Sequence, residues 1–358
     1  MTDVVCHYHD PVKAPLLRDG VLPALATVTS AFPGVAGHVE RHWLHGPHVR
    51  VRLSGQSAEP AALLLATLLR SYVTAHPSTV ELSEDEQLSH ARAAAVAELL
   101  LPPFTPLYPN NSVRIEPTSV DRLRELLPDA EIRLRFEGLR LGVPVLRESL
   151  AAPRATVALT AMAVHASRYP GGLQYGYHSF LSHVEDFLLA SDPTGAVRGK
   201  LDAVWDKHSE TACALVAGVA LGHPTSRLEA AWQTWTIAVR LAAEAEYDAG
   251  RLDEVNPRHA ERAHRIGDPD AVRRYDYGER SEFSDYHTAL WNADLTDPAI
   301  RRNMTVYRLG TNVLYQLLAI SDVTPMERYA AAHLVSRAAQ QVCGTTWQDQ
   351  FAALPKAG

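Results

Sequence analysis

Helical periodicity in the second half of the chain is the feature that most constrains its fold. After residue 150, five segments have helical length and few helix-breaking residues. They are 154–169, 172–192, 227–252, 301–320 and 327–342. So much helix leaves the first 150 residues as the place where any sheet must form.

Short segments dominate the first 150 residues. HVRVRL (48–53) alternates His48, Arg50 and Arg52 with Val49, Val51 and Leu53, which is typical of a strand. EIRLRFEGL (131–139) alternates in the same way and also predicts a strand. Residues 61–76 and 86–100 read as helices, and the proline-rich 101–113 as a loop. The prediction is an α+β fold with a strand-rich part (1–150) and a mainly helical part (151–358). The helical part is expected to carry most of a substrate-binding pocket.

No long linker separates the two parts, so we predict a single domain over residues 1–358. The polar segment 251–285, rich in arginine and aspartate, is expected to be an exposed excursion from it. It either binds a partner or is a solvated loop, and the second reading is favoured.

Composition excludes several classes of protein. A net charge of −7 argues against nucleic acid as the main partner, because phosphate binding needs a concentrated basic surface. Cys6, Cys213 and Cys343 are scattered, as free thiols in a reducing compartment would be. The N-terminus lacks a signal-peptide pattern, and no apolar run is long enough to span a membrane. A cytoplasmic protein is therefore expected.

Segment 172–192 combines histidines, serines and acids without a lysine or arginine. At about 100° per residue, its apolar residues from Phe180 to Leu188 form one core-facing stripe. The opposite patch is either a solvated face or a set of short hydrogen-bonding and titratable groups that position a substrate or move protons. That patch comprises Ser179, Ser182, His183 and Asp186.

Segment 301–320 is apolar around most of its circumference, which predicts a buried helix. A narrow polar stripe interrupts it, formed by Arg301, Thr305, Arg308 and Asn312. Because a buried guanidinium is costly unless it is paired or lines a wet cavity, this stripe either meets acids of another element or faces a pocket.

RHWLHGPHVRVRL (41–53) places three histidines and three arginines around Trp43 and a Gly46-Pro47 turn. Its spacing matches no metal-ligand pattern, so no metal site is predicted. The alternating arginines are either solvated or positioned to bind carboxylates or peptide. The chain also lacks GxSxG, phosphate-loop and HExxH motifs.

Together, three of these segments resemble one known family. RHWLHGPHVRVRL resembles the Trp-x-x-x-Gly-Pro-His-x-Arg-x-Arg motif of the thiopeptide-type bacteriocin biosynthesis family, with two residues instead of three between Trp43 and Gly46. That family includes the elimination domain of lanthipeptide dehydratases. YHSFLSHVEDFL (177–188) and RRNMTVYRLGTNVLYQLL (301–318) look like the corresponding segments of its stand-alone pyridine synthases. The resemblance covers most of the chain, and it implies the elimination-domain fold.

One departure from the elimination-domain pattern favours the cyclase branch. Elimination domains carry a His-Met-His-x-Asn-Arg-Leu type motif, and Thr305 stands here in place of the histidine after the methionine. The resemblance to the cyclases implies a formal [4+2] cycloaddition between two dehydroalanines of a modified precursor peptide. Loss of water and of the leader peptide, as a carboxamide, then gives the pyridine-centred macrocycle without a cofactor.

The resemblance implies roles for particular residues. His183 or Tyr307 would assist amide tautomerisation, Ser179 or Ser182 would hydrogen-bond the iminol or the departing hydroxyl, and Arg308 would stabilise oxyanion character. The residues expected to bind substrate are Trp43, His48, Arg50, Arg52, Tyr177, His178, Glu185, Trp291, Arg301, Thr305 and Asn312.

The expected partner is a linear precursor peptide with a leader and an azole- and dehydroalanine-containing core, together with other biosynthetic enzymes. Neither nucleic acid nor membrane is expected. Two alternatives stay open: glutamate elimination from glutamylated serine or threonine, and a non-catalytic leader-binding partner.

Overall fold

The structure, a computed structural model, describes residues 1–254 and 256–355. Four strands and six helices lie in the first 151 residues, and a π-helical turn (Leu16–Val21) precedes α1. The strands are β1 (Thr2–His7), β2 (Ala36–His42), β3 (His48–Ser54) and β4 (Ser112–Pro117). The helices are α1 (Leu22–Ala31), α2 (Ala58–Ala75), α3 (Glu84–Glu98), α4 (Asp121–Arg124), α5 (Asp129–Leu141) and α6 (Val143–Ser149).

The remainder of the described chain is helical, which confirms the predicted α+β class. Its first five helices are α7 (Arg154–Ser167), α8 (Leu173–Gly176), α9 (His178–Ser191), α10 (Ala196–Ala220) and α11 (Arg227–Asp248). Next come α12 (Arg258–Ile266), α13 (Pro269–Tyr275) and a short 3-10 helix (Tyr277–Glu279). The last four are α14 (Asp285–Trp291), α15 (Pro298–Ile320), α16 (Pro325–Cys343) and α17 (Trp347–Ala352).

The described residues divide into two compact units. The first comprises 1–151, 256–280 and 319–322, and the second 152–254, 281–318 and 323–355. That residues 1–358 act as a single domain stays a prediction.

An antiparallel sheet in the order β2-β3-β1-β4 is the centre of the first unit. Val4 lies opposite Val51, and Cys6 opposite Val49, so these side chains share an apolar face that α2 covers. Close packing there requires Gly37, because a Cβ at this position would lie 2.8 Å from the Leu25 and Leu53 side chains. The alternation predicted for HVRVRL is thus confirmed as β3.

Arg52, on the polar face of the sheet, is not solvated, although alternating arginines permitted that reading. Asp3 lies opposite Arg52 in the sheet, and both side chains are buried. Two parallel hydrogen bonds join them, from Arg52 Nε (3.0 Å) and Nη2 (3.1 Å) to the Asp3 carboxylate. The Arg52 guanidinium also lies over the Phe136 ring of α5 at 4.4 Å. Charge pairing within the unit therefore makes burial of this guanidinium possible.

The strand predicted over 131–139 is wrong, because these residues belong to α5. Ile132, Leu134 and Leu139 are buried, a set that also fits a helical repeat. Pro128, immediately before the helix, and the first-turn acid Asp129 favour a helix start at this place. Alternation with a period of two over so few residues is compatible with both a strand and a helix.

About half of the described residues in 251–285 are exposed, as predicted, but the favoured reading of the segment as a loop is wrong, because most of it is helical. Helices α12 and α13 bury Ala263 and Ala271 against Leu99 in a small apolar cluster of the first unit. A 2.6 Å ion pair between Arg262 and Glu125 further attaches α12 to this unit. The segment is polar because only one narrow face of each helix is needed for this contact.

In the second unit, α16 packs against α7, α9 and α10, and α11 packs against α7. Small buried residues such as Ala161 on α7 and Ala338 on α16 allow these helices to approach closely. A capping box at Thr324 and Glu327 fixes the start of α16. This bundle positions the polar face of α9.

Candidate functional site

The predicted apolar stripe of 172–192 is confirmed on α9. Phe180, Leu181, Val184 and Leu188 are buried, and Phe187 stacks on Tyr329 with ring centroids 3.9 Å apart. The opposite face is half-buried, because Ser182 and His183 meet side chains of α14 and α15. The reading of this patch as a mere solvated surface is therefore excluded for these two residues.

Ser182 ends a chain of three hydrogen-bonded side chains. Its Oγ lies 3.0 Å from His287 Nε2, and His287 Nδ1 lies 2.7 Å from Ser284 Oγ. Ser284 caps α14 by accepting a hydrogen bond from the His287 backbone N–H, which holds both residues in place. Because His287 is buried and Ser182 is half-buried, a proton can pass between a protected imidazole and a more accessible hydroxyl.

His183 contacts a buried phenol. Its Nδ1 lies 2.6 Å from Tyr315 Oη, and burial raises the pKa of Tyr315 well above its ordinary value. The phenol therefore stays protonated at neutral pH and donates its hydrogen to Nδ1. The Arg328 guanidinium lies over the Tyr315 ring at 4.7 Å and partly offsets this rise in pKa.

The C-terminal helix orients His178. Gln350 Oε1 on α17 accepts hydrogen bonds from His178 Nε2 at 2.5 Å and from Tyr177 Oη at 3.2 Å. Since an amide oxygen can only accept, His178 Nε2 carries the hydrogen, and Nδ1 is the acceptor facing Tyr286 Oη at 3.1 Å. Burial lowers the pKa of His178, partly offset by the Gln350 hydrogen bond, so the ring is neutral.

Tyr307 is buried, and its hydroxyl donates a 2.9 Å hydrogen bond to the Gly176 carbonyl. Burial raises the pKa of this phenol well above its ordinary value. Gly176 fits closely against α7, because a Cβ there would lie 2.0 Å from the Ala166 carbonyl oxygen. The hydroxyl of Tyr307 thus fixes the backbone turn from which α9 starts.

Of the remaining predicted residues on α9, α14 and α15, some are buried or contact other residues of the chain, and the others lie at or near the surface. Glu185 makes a two-point contact with Arg198 at 3.1 and 2.8 Å, and Thr305 is buried. Arg301 lies 3.6 Å from Glu254, and Arg308 donates a 3.0 Å hydrogen bond to the Glu254 carbonyl. The others lie at the surface or are half-buried: Ser179, Trp291 and Asn312.

In the first unit, three of the four predicted residues lie on or beside the polar face of β3. His48 is buried and its Nδ1 lies 2.9 Å from the Gly46 carbonyl. Arg50 Nε is 3.6 Å from Asp3, and Arg52 is committed to the same carboxylate. Trp43, in the turn before β3, stacks on His42 with ring centroids 5.1 Å apart.

Sequence reasoning missed His287, Ser284 and Gln350, and it did not assign a role to Tyr315. A serine three residues before His287 is a helix N-cap signal, which could have located α14. No local signal, however, pairs His287 with Ser182, because 105 residues separate them in the chain.

Throughout residues 1–254 and 256–355, no group of three or more His, Cys, Asp or Glu side chains is arranged to hold a metal ion. Over the same residues, none of the helices combines the length and the apolar character that crossing a bilayer requires.

No protein-family model and no curated protein matches the chain. Solved structures do match it over nearly its whole length. One is the pyridine synthase TbtD from thiomuracin biosynthesis, with a TM-score of 0.70, 20% sequence identity, and coverage of 96% of this chain and 98% of TbtD. Another is TsrL, with a TM-score of 0.65, 16% identity, and coverage of 100% of this chain and 99% of TsrL.

These likenesses confirm, at the level of the fold, the resemblance that the three sequence motifs predict. The chain has the fold of the thiomuracin pyridine synthase and of TsrL.

Proposed function

We propose that this protein is a pyridine synthase of thiopeptide biosynthesis. It joins two dehydroalanines of a modified precursor peptide in a formal [4+2] cycloaddition, with loss of water and of the leader peptide. The fold likeness to the thiomuracin enzyme supports this assignment. The observation that carries it is the Ser182–His287–Ser284 chain on the half-buried face of α9.

The reaction needs an amide to become its iminol tautomer, so a proton must leave nitrogen while another reaches oxygen. The serine–histidine chain suits this task. In one tautomer His287 Nε2–H donates to Ser182 Oγ, and the Ser182 hydroxyl hydrogen can be donated to an amide oxygen. In the other, Ser182 donates to Nε2, and its oxygen can accept a proton from an amide nitrogen. Ser182 takes up the amide N–H proton as its own hydroxyl proton moves to Nε2, which makes His287 briefly cationic, and the return of that proton through Ser182 to the amide oxygen completes the iminol and restores the neutral ring.

His183 supplies a second polar group on the same face of α9. Because Tyr315 donates to Nδ1, the imidazole is held in a fixed orientation and its basicity is set by a neutral partner. In the proposed reaction His183 hydrogen-bonds the developing iminol or the hydroxyl that departs as water. Roles for Ser179, Tyr307 and Arg308 stay predictions.

Substrate positioning accounts for the rest of the proposal. Holding two ends of a flexible peptide together can lower the activation free energy by several kcal/mol, because the entropy cost of bringing them together is met when the peptide binds. His178, oriented by Gln350, is proposed to contact the core peptide. The Trp43–Arg52 segment is proposed to contact peptide as well, with Arg50 the half-exposed cation available to an acidic leader. Every step is proton transfer or bond reorganisation, so the reaction requires no cofactor.

Glutamate elimination is the competing function. Its supporting feature is the shared fold family implied by the motifs, and the feature against it is Thr305, which cannot act as the base that removes a Cα proton. A glutamylated peptide that loses glutamate and gains dehydroalanine would identify an eliminase. A pyridine synthase instead gives a mass change equal to leader plus water.

Ser182→Ala and His287→Asn are each expected to lower the rate of leader release by about 100-fold. Each change breaks the relay, which is the Ser182–His287–Ser284 chain of hydrogen bonds. Ser182→Ala does so by removing a single hydroxyl group. The measurement is mass spectrometry of a didehydroalanine, azole-containing precursor incubated with each purified variant.

Ser191→Ala, at the exposed end of the same helix, is the matched control and should react at the wild-type rate. Circular dichroism establishes that the variants are folded. Wild-type rates in both folded relay variants would show that this chain of side chains does not carry the reaction.

A further inference from the structure

The first turns of α16 carry an arginine whose charge no acidic side chain neutralises. Arg328 is half-buried, and within residues 1–254 and 256–355 its guanidinium makes neither an ion pair nor a hydrogen bond. The adjacent acid, Glu327, has other partners, because it accepts two 2.8 Å hydrogen bonds from Thr324 and lies 3.2 Å from Arg154. The N–H groups of Arg328 are therefore available to an acceptor from outside the chain.

Other arginines of the second unit have acidic partners. Arg337, on the same helix as Arg328, donates a 2.8 Å hydrogen bond to Asp202. Arg302 on α15 binds Asp248 through two hydrogen bonds of 2.8 Å. Arg328 keeps its positive charge uncompensated, so its surroundings favour a ligand atom that carries or develops negative charge.

Two aromatic rings place the Arg328 guanidinium beside the polar face of α9. Its Cζ lies 4.7 Å from the ring centroid of Tyr315 and 5.6 Å from that of Tyr329. Both rings are themselves held against α9, because the Tyr315 hydroxyl contacts His183 and the Tyr329 ring stacks on Phe187. Residues four apart on a helix are neighbours, so His183 and Phe187 lie side by side. The guanidinium is thus positioned next to the proposed site of reaction.

The proposed cyclisation creates a negative charge that such a cation stabilises. Once Ser182 has taken up the amide N–H proton, the substrate is an imidate whose negative charge is shared between nitrogen and oxygen. The charge persists until the proton returns to the oxygen. A donor already aimed at that oxygen binds the imidate more strongly than the neutral amide, which lowers the barrier.

We propose that Arg328 binds the substrate amide oxygen and stabilises its negative charge while the iminol forms. The proton leaves nitrogen and reaches oxygen through Ser182, so Arg328 donates hydrogen bonds and exchanges no proton. This inference rests on the proposed pyridine synthase function. It competes with the role that the sequence predicts for Arg308, whose guanidinium donates a 3.0 Å hydrogen bond to the Glu254 carbonyl.

The test compares the kinetics of leader release by the full chain and by Arg328→Ala, measured by mass spectrometry over a range of precursor concentrations. Arg328→Ala should lower kcat about 100-fold and change KM less than about threefold, because the contact strengthens only as negative charge develops. Methylguanidine should raise the kcat of this variant about tenfold by supplying the missing donors. Arg328→Lys should lose about tenfold in kcat, since an ammonium keeps the charge without the planar donor fork.

Arg227→Ala, an exposed change at the start of α11, is the matched control and should keep wild-type kinetics. Circular dichroism establishes that each variant is folded. A wild-type kcat in folded Arg328→Ala, an effect on KM alone, or a loss that methylguanidine leaves unchanged would overturn the role of Arg328. A loss of kcat confined to Arg308→Ala would assign the role to Arg308 instead. Absence of product from the wild-type chain would refute the proposed function itself, a result distinct from all of these.

Discussion

Asp3→Ala is expected to destabilise the first unit by about 3 kcal/mol, because it removes both hydrogen bonds from the buried Arg52 guanidinium to a carboxylate and leaves it only the Glu40 carboxylate, 3.5 Å away. Asp3 accepts both hydrogen bonds of Arg52 and a 2.6 Å hydrogen bond from the Thr118 hydroxyl. Arg50 Nε lies 3.6 Å from the same carboxylate. One substitution therefore removes the group that joins β1, β3 and the residue after β4. Hydrogen exchange of the β1 and β3 amides measures the loss.

Two comparison variants separate the effect of losing the ion pair from the effect of losing side-chain packing. The double variant Asp3→Leu/Arg52→Met replaces the ion pair with apolar side chains and should recover most of the stability. Glu137→Ala removes an exposed ion pair with Arg140 and should cost less than about 1 kcal/mol. If Asp3→Ala costs no more than Glu137→Ala, the buried pair does not stabilise the sheet.

Mild acid is expected to unfold the same unit. Burial, followed by the nearby charges of His9 and Arg114, lowers the pKa of His7 to about 3. Burial and the Arg50 charge lower the pKa of His48 well below its ordinary value. Both rings are neutral in the folded protein. Below pH about 6.5 the unfolded chain therefore binds more protons than the folded one, and the stability of the unit decreases as the pH falls. The protonation of His7 alone lowers the stability of the unit by about 3 kcal/mol at pH 4.5, and His48 adds a loss of the same sign.

His7→Phe tests the cause of this acid sensitivity. The His7 ring packs against His48 and Tyr108 with centroids 5.1 and 5.0 Å away, so a phenyl ring retains the packing. The β-strand amides of this variant should lose clearly less protection between pH 6.5 and pH 4.5 than those of the wild type. His90→Phe, at an exposed position, should change nothing. An unaltered pH profile for His7→Phe would assign the acid sensitivity to other groups.

Much of the fold could be predicted because periodicity is a local property. Alternation in residues 48–53 predicted β3, and the stripe from Phe180 to Leu188 predicted the buried face of α9. Residues 131–139 were misassigned because their apolar positions fit both a strand and a helix, and packing against the sheet decided between them. The segment 251–285 was misread because average polarity conceals two buried alanines.

The candidate site could be predicted only in part, for a similar reason. The polar face of α9 was visible in the sequence, but its partners were not. His183 meets Tyr315 across 132 residues, and His178 meets Gln350 across 172. For Arg52 the sequence led us to expect a substrate-binding role, but in the structure its guanidinium is buried against Asp3.

The sequence by itself determined which faces of the strands and helices are apolar, because that follows from the spacing of residues along one element. It also determined that Ser182 and His183 share a polar face. Only the tertiary structure decided which side chains that face meets. Hydrogen-bond partners such as Ser182 and His287 depend on how distant helices pack, and a hydrogen bond forms only when packing brings donor and acceptor to about 3 Å.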